Sequence, residues 1–269
     1  MARDRVQRQS AGWCRLAGRI RGICFDPEPY DFSLWDYSKQ TETNSHSFTE
    51  YQSQVRQRGV QLMRAFEDQF PGATILTFFH VSFFDRFADL PEPERTRRLE
   101  HERWGLMPDF FIGMLEGASP QARFIDGNEE SYYYTSREQY FRAYHAIHER
   151  ARRLIPPGLR EKYERQVRAG QALYVDQDFA LRQPKKDQYL SYRMTPDEQA
   201  RWFEHNVYYA LYTTDEYVWC YSERMNWWKD QTPPGLEAAI VSARQKIAAG
   251  KPLGFDIEPL IAEVRKRPP

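Results

Sequence analysis

The sequence predicts an α/β fold in which β-α units repeat five times along a parallel sheet, with one helix in front. Three observations predict it. Short strand-like apolar runs alternate with longer stretches of helical period. Acids stand at or just beyond the C-terminal end of almost every run. No run leads into a glycine-rich phosphate loop of either nucleotide-binding type, which argues against a dinucleotide-type open sheet.

The elements follow in order. Residues 5–19 read as a helix with Val6, Trp13, Leu16 and Ala17 as its apolar points. "GICF" (22–25) is a buried strand candidate. Residues 47–70 form a long helix that Ser47 or Thr49 caps, with Val55, Leu62, Met63 and Phe66 on its apolar side. "PG" at 71–72 stops it, and "ATILTFFHVSFF" (73–84) supplies the second strand. A helix over about 91–116 precedes "ARFIDG" (122–127), the third strand. "SREQYFRAYHAIHERARRL" (136–154) is helical, and Ser136 with Gln139 resembles a capping box. After "IPPG" a second helix runs over 158–169, followed by the strand "ALYVDQDF" (172–179). Thr195 caps a helix over 195–212 with Pro196 at its first position. "EYVWCYSE" (216–223) is the last strand, and 234–250 the last clear helix, with Gly250 as its C-cap.

Composition narrows the partners. Thirty-eight basic residues balance 38 acidic ones, which removes the main argument for nucleic acid or an anionic membrane as partner, since both demand a basic surface. The three cysteines, Cys14, Cys24 and Cys220, make neither a disulfide framework nor a zinc motif. Cys24 and Cys220 sit inside strand-like runs, where a thiol is expected to serve as a small core residue. No run reaches the length of a membrane helix, and the N-terminus carries basic residues without an apolar signal core. A soluble chain is the expectation.

Aromatic residues make up 15% of the chain, and many of them accompany the terminal acids. Asp26 and Glu28 are followed by Tyr30, Trp35 and Tyr37; Asp126, Glu129 and Glu130 by three tyrosines; and Tyr221 and Glu223 by Trp227 and Trp228. Asp176 and Asp178 close the fourth run, and His80 lies within the second. In parallel α/β folds the C-terminal strand ends share one face and build the site. A sugar presents polar edges and apolar C–H faces, so it asks for carboxylates beside rings. A carbohydrate ligand is therefore expected, with no cofactor and no metal.

"RGICFDPEPY" (21–30) resembles the acid-tipped fourth strand of glycoside hydrolase (β/α)8 barrels and is similar to the D-G-x-D-x-D-x-E strand of family 18 chitinases. Gly22, Asp26 and Glu28 match its glycine, last aspartate and glutamate, while Arg21 and Cys24 stand where that family has two further aspartates. The resemblance implies that Glu28 is the general acid and Asp26 its partner. Glu223, or an acid of the 126–130 cluster (Asp126, Glu129), would then be the second catalytic carboxylate. Tyr30, Trp35, His80, Glu130, Asp176, Tyr221, Trp227 and Trp228 would bind substrate. It also implies a TIM-barrel-like fold. Counted from a fourth strand at 22–25, strands five to eight fall at 73–81, 122–126, 172–176 and 216–222, so an incomplete barrel of about five strands, one domain over 1–269 lacking the first three β-α units, is expected. Two rival readings are a non-catalytic sugar-binding remnant of such a barrel, and a metal-dependent hydrolase using Asp26, His80, Asp126 and Asp176.

Overall fold

Short strands separated by helices run through the structure, a computed structural model that describes residues 20–30, 33–182 and 189–268. The helix expected over 5–19 lies outside the described residues. The strands are β1 (Gly22–Phe25), β2 (Thr74–Thr77), β3 (Arg123–Asp126), β4 (Val167–Tyr174) and β5 (Tyr217–Tyr221). The main helices are α1 (Phe48–Glu67), α2 (Glu94–Glu100), α3 (Met107–Gly117), α4 (Arg137–His145), α5 (Arg160–Gln166), α6 (Pro196–Tyr212), α7 (Leu236–Ala248) and α8 (Glu258–Val264). The class is α/β. β1–β2, β2–β3 and β4–β5 all pair parallel, as β-α-β alternation requires. No described helix is long and apolar enough to cross a membrane.

The backbone divides into two compact units, one of residues up to 126 with 145–168, the other of 127–144 with 169–269. The chain passes between them three times, so no single linker marks the division.

In the first unit β2 lies between β1 and β3, with Phe25, Thr77 and Asp126 level with one another. α1 begins in a complete capping box: the Ser47 hydroxyl accepts from the Glu50 N–H and the Glu50 carboxylate accepts from the Ser47 N–H. α1 and α3 touch backbone to backbone, because glycines occupy the crossing. A Cβ on Gly59 would stand 2.2 Å from the Phe110 carbonyl oxygen, and one on Gly113 would stand 2.0 Å from that of Arg56. Met63, Ile75, Phe111, Leu115 and Phe124 are buried.

Several expectations change here. The apolar run 73–84 is strand only over Thr74–Thr77, then a 3-10 helix over Val81–Phe87 that buries Val81, Phe84 and Phe87. An apolar run satisfies either period when all of it is buried. The helix expected over 91–116 is two, α2 and α3, separated at Gly105, where a Cβ would meet the Leu99 carbonyl oxygen at 1.8 Å. Cys24 is exposed rather than a core residue, on a β1 that is only half-buried and pairs with β2 alone among the described contacts of this unit.

The second unit pairs β4 with β5 in the register Ala172↔Trp219 and Tyr174↔Tyr221. Leu173, Val175, Phe203, Val207, Leu236 and Ala243 make its core, and Trp202 with Ile257 and Ile261 makes a second cluster. Thr195 caps α6 through a capping box with Glu198, and Pro196 stands at its first turn. α8 has no counterpart in the sequence reading. β4 begins five residues before the expected position 172 and ends at Tyr174, so Asp176 and Asp178 lie in a helical turn, Val175–Asp178, beyond the strand. The polar Gln171 hid this strand; it is fully buried, accepting from Asn128 Nδ2 at 2.7 Å and donating to Thr213 Oγ1 at 3.1 Å. Cys220 is exposed, not core.

Candidate functional site

The expected site residues fall in both units. In the first, Asp26 sits just past β1 and is held by its own loop. Its Oδ1 accepts from the Glu28 N–H at 2.8 Å and its Oδ2 from the Tyr30 hydroxyl at 2.7 Å. The first bond is an Asx turn, the local geometry that Asp and Pro favour. The Tyr30 hydroxyl is raised well above its ordinary pKa, first by the bond to Asp26, then by burial and by a bond to Glu28. The phenol is thus hydrogen-bonded to the Asp26 carboxylate and feels Glu28 as well, while the Tyr30 residue is 74% exposed.

Trp35 does not offer the open face a sugar would need. It is 5% exposed, its Nε1 donates to the Pro27 carbonyl at 2.8 Å, and its ring lies 5.0 Å from Phe110. The loop uses it as a core anchor. His80 is wholly buried between the Phe111 and Phe124 rings, at 4.4 and 5.8 Å. Neither of its ring nitrogens has a hydrogen-bond partner among the described residues. Burial alone lowers its pKa to about 3, so it stays neutral. Asp126 is fully buried at the end of β3, where the Ser82 hydroxyl donates to its Oδ2 at 2.5 Å. No ligand reaches either residue without rearrangement of this core.

The second unit builds a more open group. Tyr174 and Tyr221 are register partners, and Trp219 lies two residues before Tyr221, so period-2 alternation sends all three to one face. Tyr132 completes the wall: its ring is 4.8 Å from Tyr174, 5.3 Å from Trp219 and 6.1 Å from Tyr221, nearly parallel to the last at 14°. Tyr132 and Tyr174 are buried, whereas Tyr221 is 39% exposed. Trp219 Nε1 donates to the Gly127 carbonyl at 2.8 Å, tying the wall to the turn that carries Glu129 and Glu130.

Carboxylates border this wall. The Tyr174 hydroxyl donates to Glu223 Oε1 at 3.2 Å. Asp176 is fully buried and holds the turn after β5, accepting from the Ser222 hydroxyl at 2.5 Å and from the Glu223 N–H at 2.8 Å. Asp176 is thus a positioning residue for Glu223, not an open ligand. Burial first, then the charges of Glu223 and Asp176 and, last, that of Glu129, push the Tyr221 hydroxyl upward. Glu129 likewise raises Tyr132, after burial. The charges of an exposed acid, Glu223, and a half-buried one, Glu129, thus both act on the hydroxyl of one partly open ring. Glu130 is exposed in the 3-10 turn Glu129–Tyr133. Arg182 lies 5.3 Å from the Tyr174 ring centroid and 5.3 Å from that of Tyr189. Past the wall, Trp227 and Trp228 form a 3-10 turn capped by the Asn226 side chain, 48% and 97% exposed.

Of the expected residues, the second unit thus brings Glu129, Asp176, Tyr221 and Glu223 together, and the first joins Asp26, Glu28 and Tyr30. The sequence pattern does not single out Tyr132, Tyr174, Trp219, Ser222 or Arg182 as site residues. The alternating rings Tyr217, Trp219 and Tyr221 were the signal that could have found the wall. Among the described residues, no three His, Cys, Asp or Glu side chains gather to hold a metal ion. A scan of protein-family models, a search of curated proteins and a search of solved structures each return no match to this chain.

Proposed function

We propose that the second unit binds carbohydrate on the Tyr132–Tyr174–Tyr221 wall, with Glu223 accepting from sugar hydroxyls. The observation that carries this reading is the partly open Tyr221 ring beside an exposed carboxylate that a tyrosine hydroxyl and the Asp176-held turn both orient. A ring face covers the C–H side of a pyranose while a carboxylate meets its hydroxyls. Trp228, almost wholly exposed, offers a further ring face. Removing the ring in Tyr221→Ala and the charge in Glu223→Gln should each weaken oligosaccharide binding by roughly tenfold, the loss expected for a charge-assisted hydrogen bond or a stacked ring. A glycan array followed by calorimetry on its best hit reads this. No binding by the parent protein, or unchanged binding in both variants, removes the assignment.

Cleavage is the second reading, favoured by two carboxylates, Glu129 and Glu223, whose charges both act on the Tyr221 hydroxyl. Glycosidases use two carboxylates, one protonated to serve the leaving oxygen and one ionised. The Asp26–Tyr30–Glu28 group supports the resemblance to barrel hydrolases, as do the parallel strands and intervening helices, which fit a TIM-barrel-like (β/α) arrangement. Release of reducing ends that Glu223→Gln abolishes would establish hydrolysis; binding without release leaves the chain a sugar-binding module.

A further inference from the structure

A cavity of about 260 Å³ opens in the first unit, lined by Gln52 of α1, Thr96 and Leu99 of α2, Asp109 and Ile112 of α3, and the segment 153–160. Its volume lies just below the roughly 300 Å³ at which pockets begin to take drug-sized ligands, so it suits a small molecule, not a polymer. Leu99 and Ile112 are buried and give it apolar lining. The lining is also charged, with Glu92 and Asp109 beside three arginines. The arginines differ in what they have left to give. Arg95 donates to the Phe87 and Leu90 carbonyls and pairs with Glu92. Arg153 pairs with Asp89. Arg160 uses only Nε, on the Ile155 carbonyl at 3.0 Å. Its two terminal nitrogens make no hydrogen bond or ion pair among the described residues, although the residue is half-buried.

Asp109, which also lines the cavity, is mostly ionised at pH 7, and its carboxylate is engaged by the Gln52 amide. Burial pushes its carboxyl up to about 6, the Gln52 amide donating to Oδ2 at 2.8 Å and Arg56 draw it back, and Glu92 pushes it further. The segment carrying Arg153 and Arg160 follows a π-helical turn, Ala146–Arg150, a distortion often found at functional sites. A half-buried guanidinium with its fork unused, in a cavity that also has apolar lining, suits an oxyanion with a hydrocarbon body.

We propose that this cavity binds a small organic anion, its carboxylate or phosphate paired with the terminal nitrogens of Arg160 and its apolar body laid on Leu99 and Ile112. The site is independent of the carbohydrate reading, since all its lining residues belong to the first unit.

Calorimetric titration with hexanoate, hexyl phosphate, inorganic phosphate and hexan-1-ol tests it. Saturable binding of hexanoate or hexyl phosphate is expected, and the tighter of the two identifies the headgroup. Inorganic phosphate and hexan-1-ol, each carrying half of the ligand, should bind at least roughly tenfold more weakly. Arg160→Met should lose about tenfold or more, the worth of a charge-assisted contact. Thr96→Tyr, which obstructs the cavity while leaving Arg160 in place, should lose as much; it decides the matter together with the ligand series if Arg160→Met does not fold. The proposal is overturned if neither amphiphile saturates, if folded Arg160→Met and Thr96→Tyr bind like the parent, or if inorganic phosphate binds as tightly as hexyl phosphate.

Discussion

Lowering the pH from 7 to 5 should destabilise the protein through His80 by about 2 kcal/mol, and replacing that histidine by leucine should remove this part of the acid sensitivity. The imidazole is wholly buried among aromatic rings, and burial alone holds its pKa at about 3 instead of 6.5. In the unfolded chain it takes up a proton near 6.5; in the folded chain it does not until about 3. The unfolded state therefore binds more protons between those values, and stability is lost as pH falls through that window. One pKa unit is worth about 1.36 kcal/mol, so at pH 5 the loss is about 1.36 × 1.5, or roughly 2 kcal/mol. At pH 5 this figure is set almost wholly by the unfolded value, since a native pKa anywhere below about 4 leaves His80 neutral in the folded state. Urea denaturation of the parent and His80→Leu at both pH values measures it. The change in stability between pH 7 and 5 should be about 2 kcal/mol larger for the parent, whatever the variant's own packing costs at pH 7. Equal pH dependence in the two proteins, or an NMR titration of the His80 ring centred near 6.5, would refute the reasoning.

Other perturbations test the packing and the second unit. Gly113→Ala places a Cβ 2.0 Å from the Arg56 carbonyl oxygen. It should cost about 2 kcal/mol despite the roughly 1 kcal/mol that alanine returns as a helix former, read as a lower urea midpoint at unchanged slope. Thr195→Ala breaks the capping box of α6 and should cost about 1 kcal/mol in the same assay. Asp178 is fully buried with Asn206 Nδ2 at 3.2 Å from its Oδ1, and burial drives its pKa well above the ordinary carboxylate value. Because the folded value lies above the unfolded one, its contribution is fully present below the unfolded pKa and declines as pH rises towards the folded one. Asp178→Asn should therefore flatten the fall in stability as pH rises above about 4, the unfolded carboxylate value; an unchanged pH profile would count against the assignment.

Local chemistry explains what the sequence made legible. The helix starts at Ser47 and Thr195 are visible because a capping box is written in residues three apart, and both form. Gly250 was readable as a C-cap because a positive φ, here 61°, favours glycine. β4 was misplaced because Gln171 looks exposed by residue type and becomes buried only when Asn128 and Thr213, distant in sequence, meet it. The acids tell the same story. Their position at strand ends was correct for Asp26 and Asp126, yet which of them stays open depends on neighbours such as Ser82 and Tyr30 that no spacing rule points to. Trp35 looked like a platform by composition, but a single bond to Pro27 and the Phe110 ring turn it inward.

The glycine crossing of α1 and α3 has a consequence for how this chain can diversify. Where two backbones meet with only hydrogen between them, neither helix can slide or rotate without a collision. Gln52 and Asp109 ride on those two helices and are hydrogen-bonded across them, so one cavity wall is inherited as a rigid pair. Novelty in what the cavity accepts must then arise on the opposite side, where arginines and prolines follow one another on an irregular strip of chain.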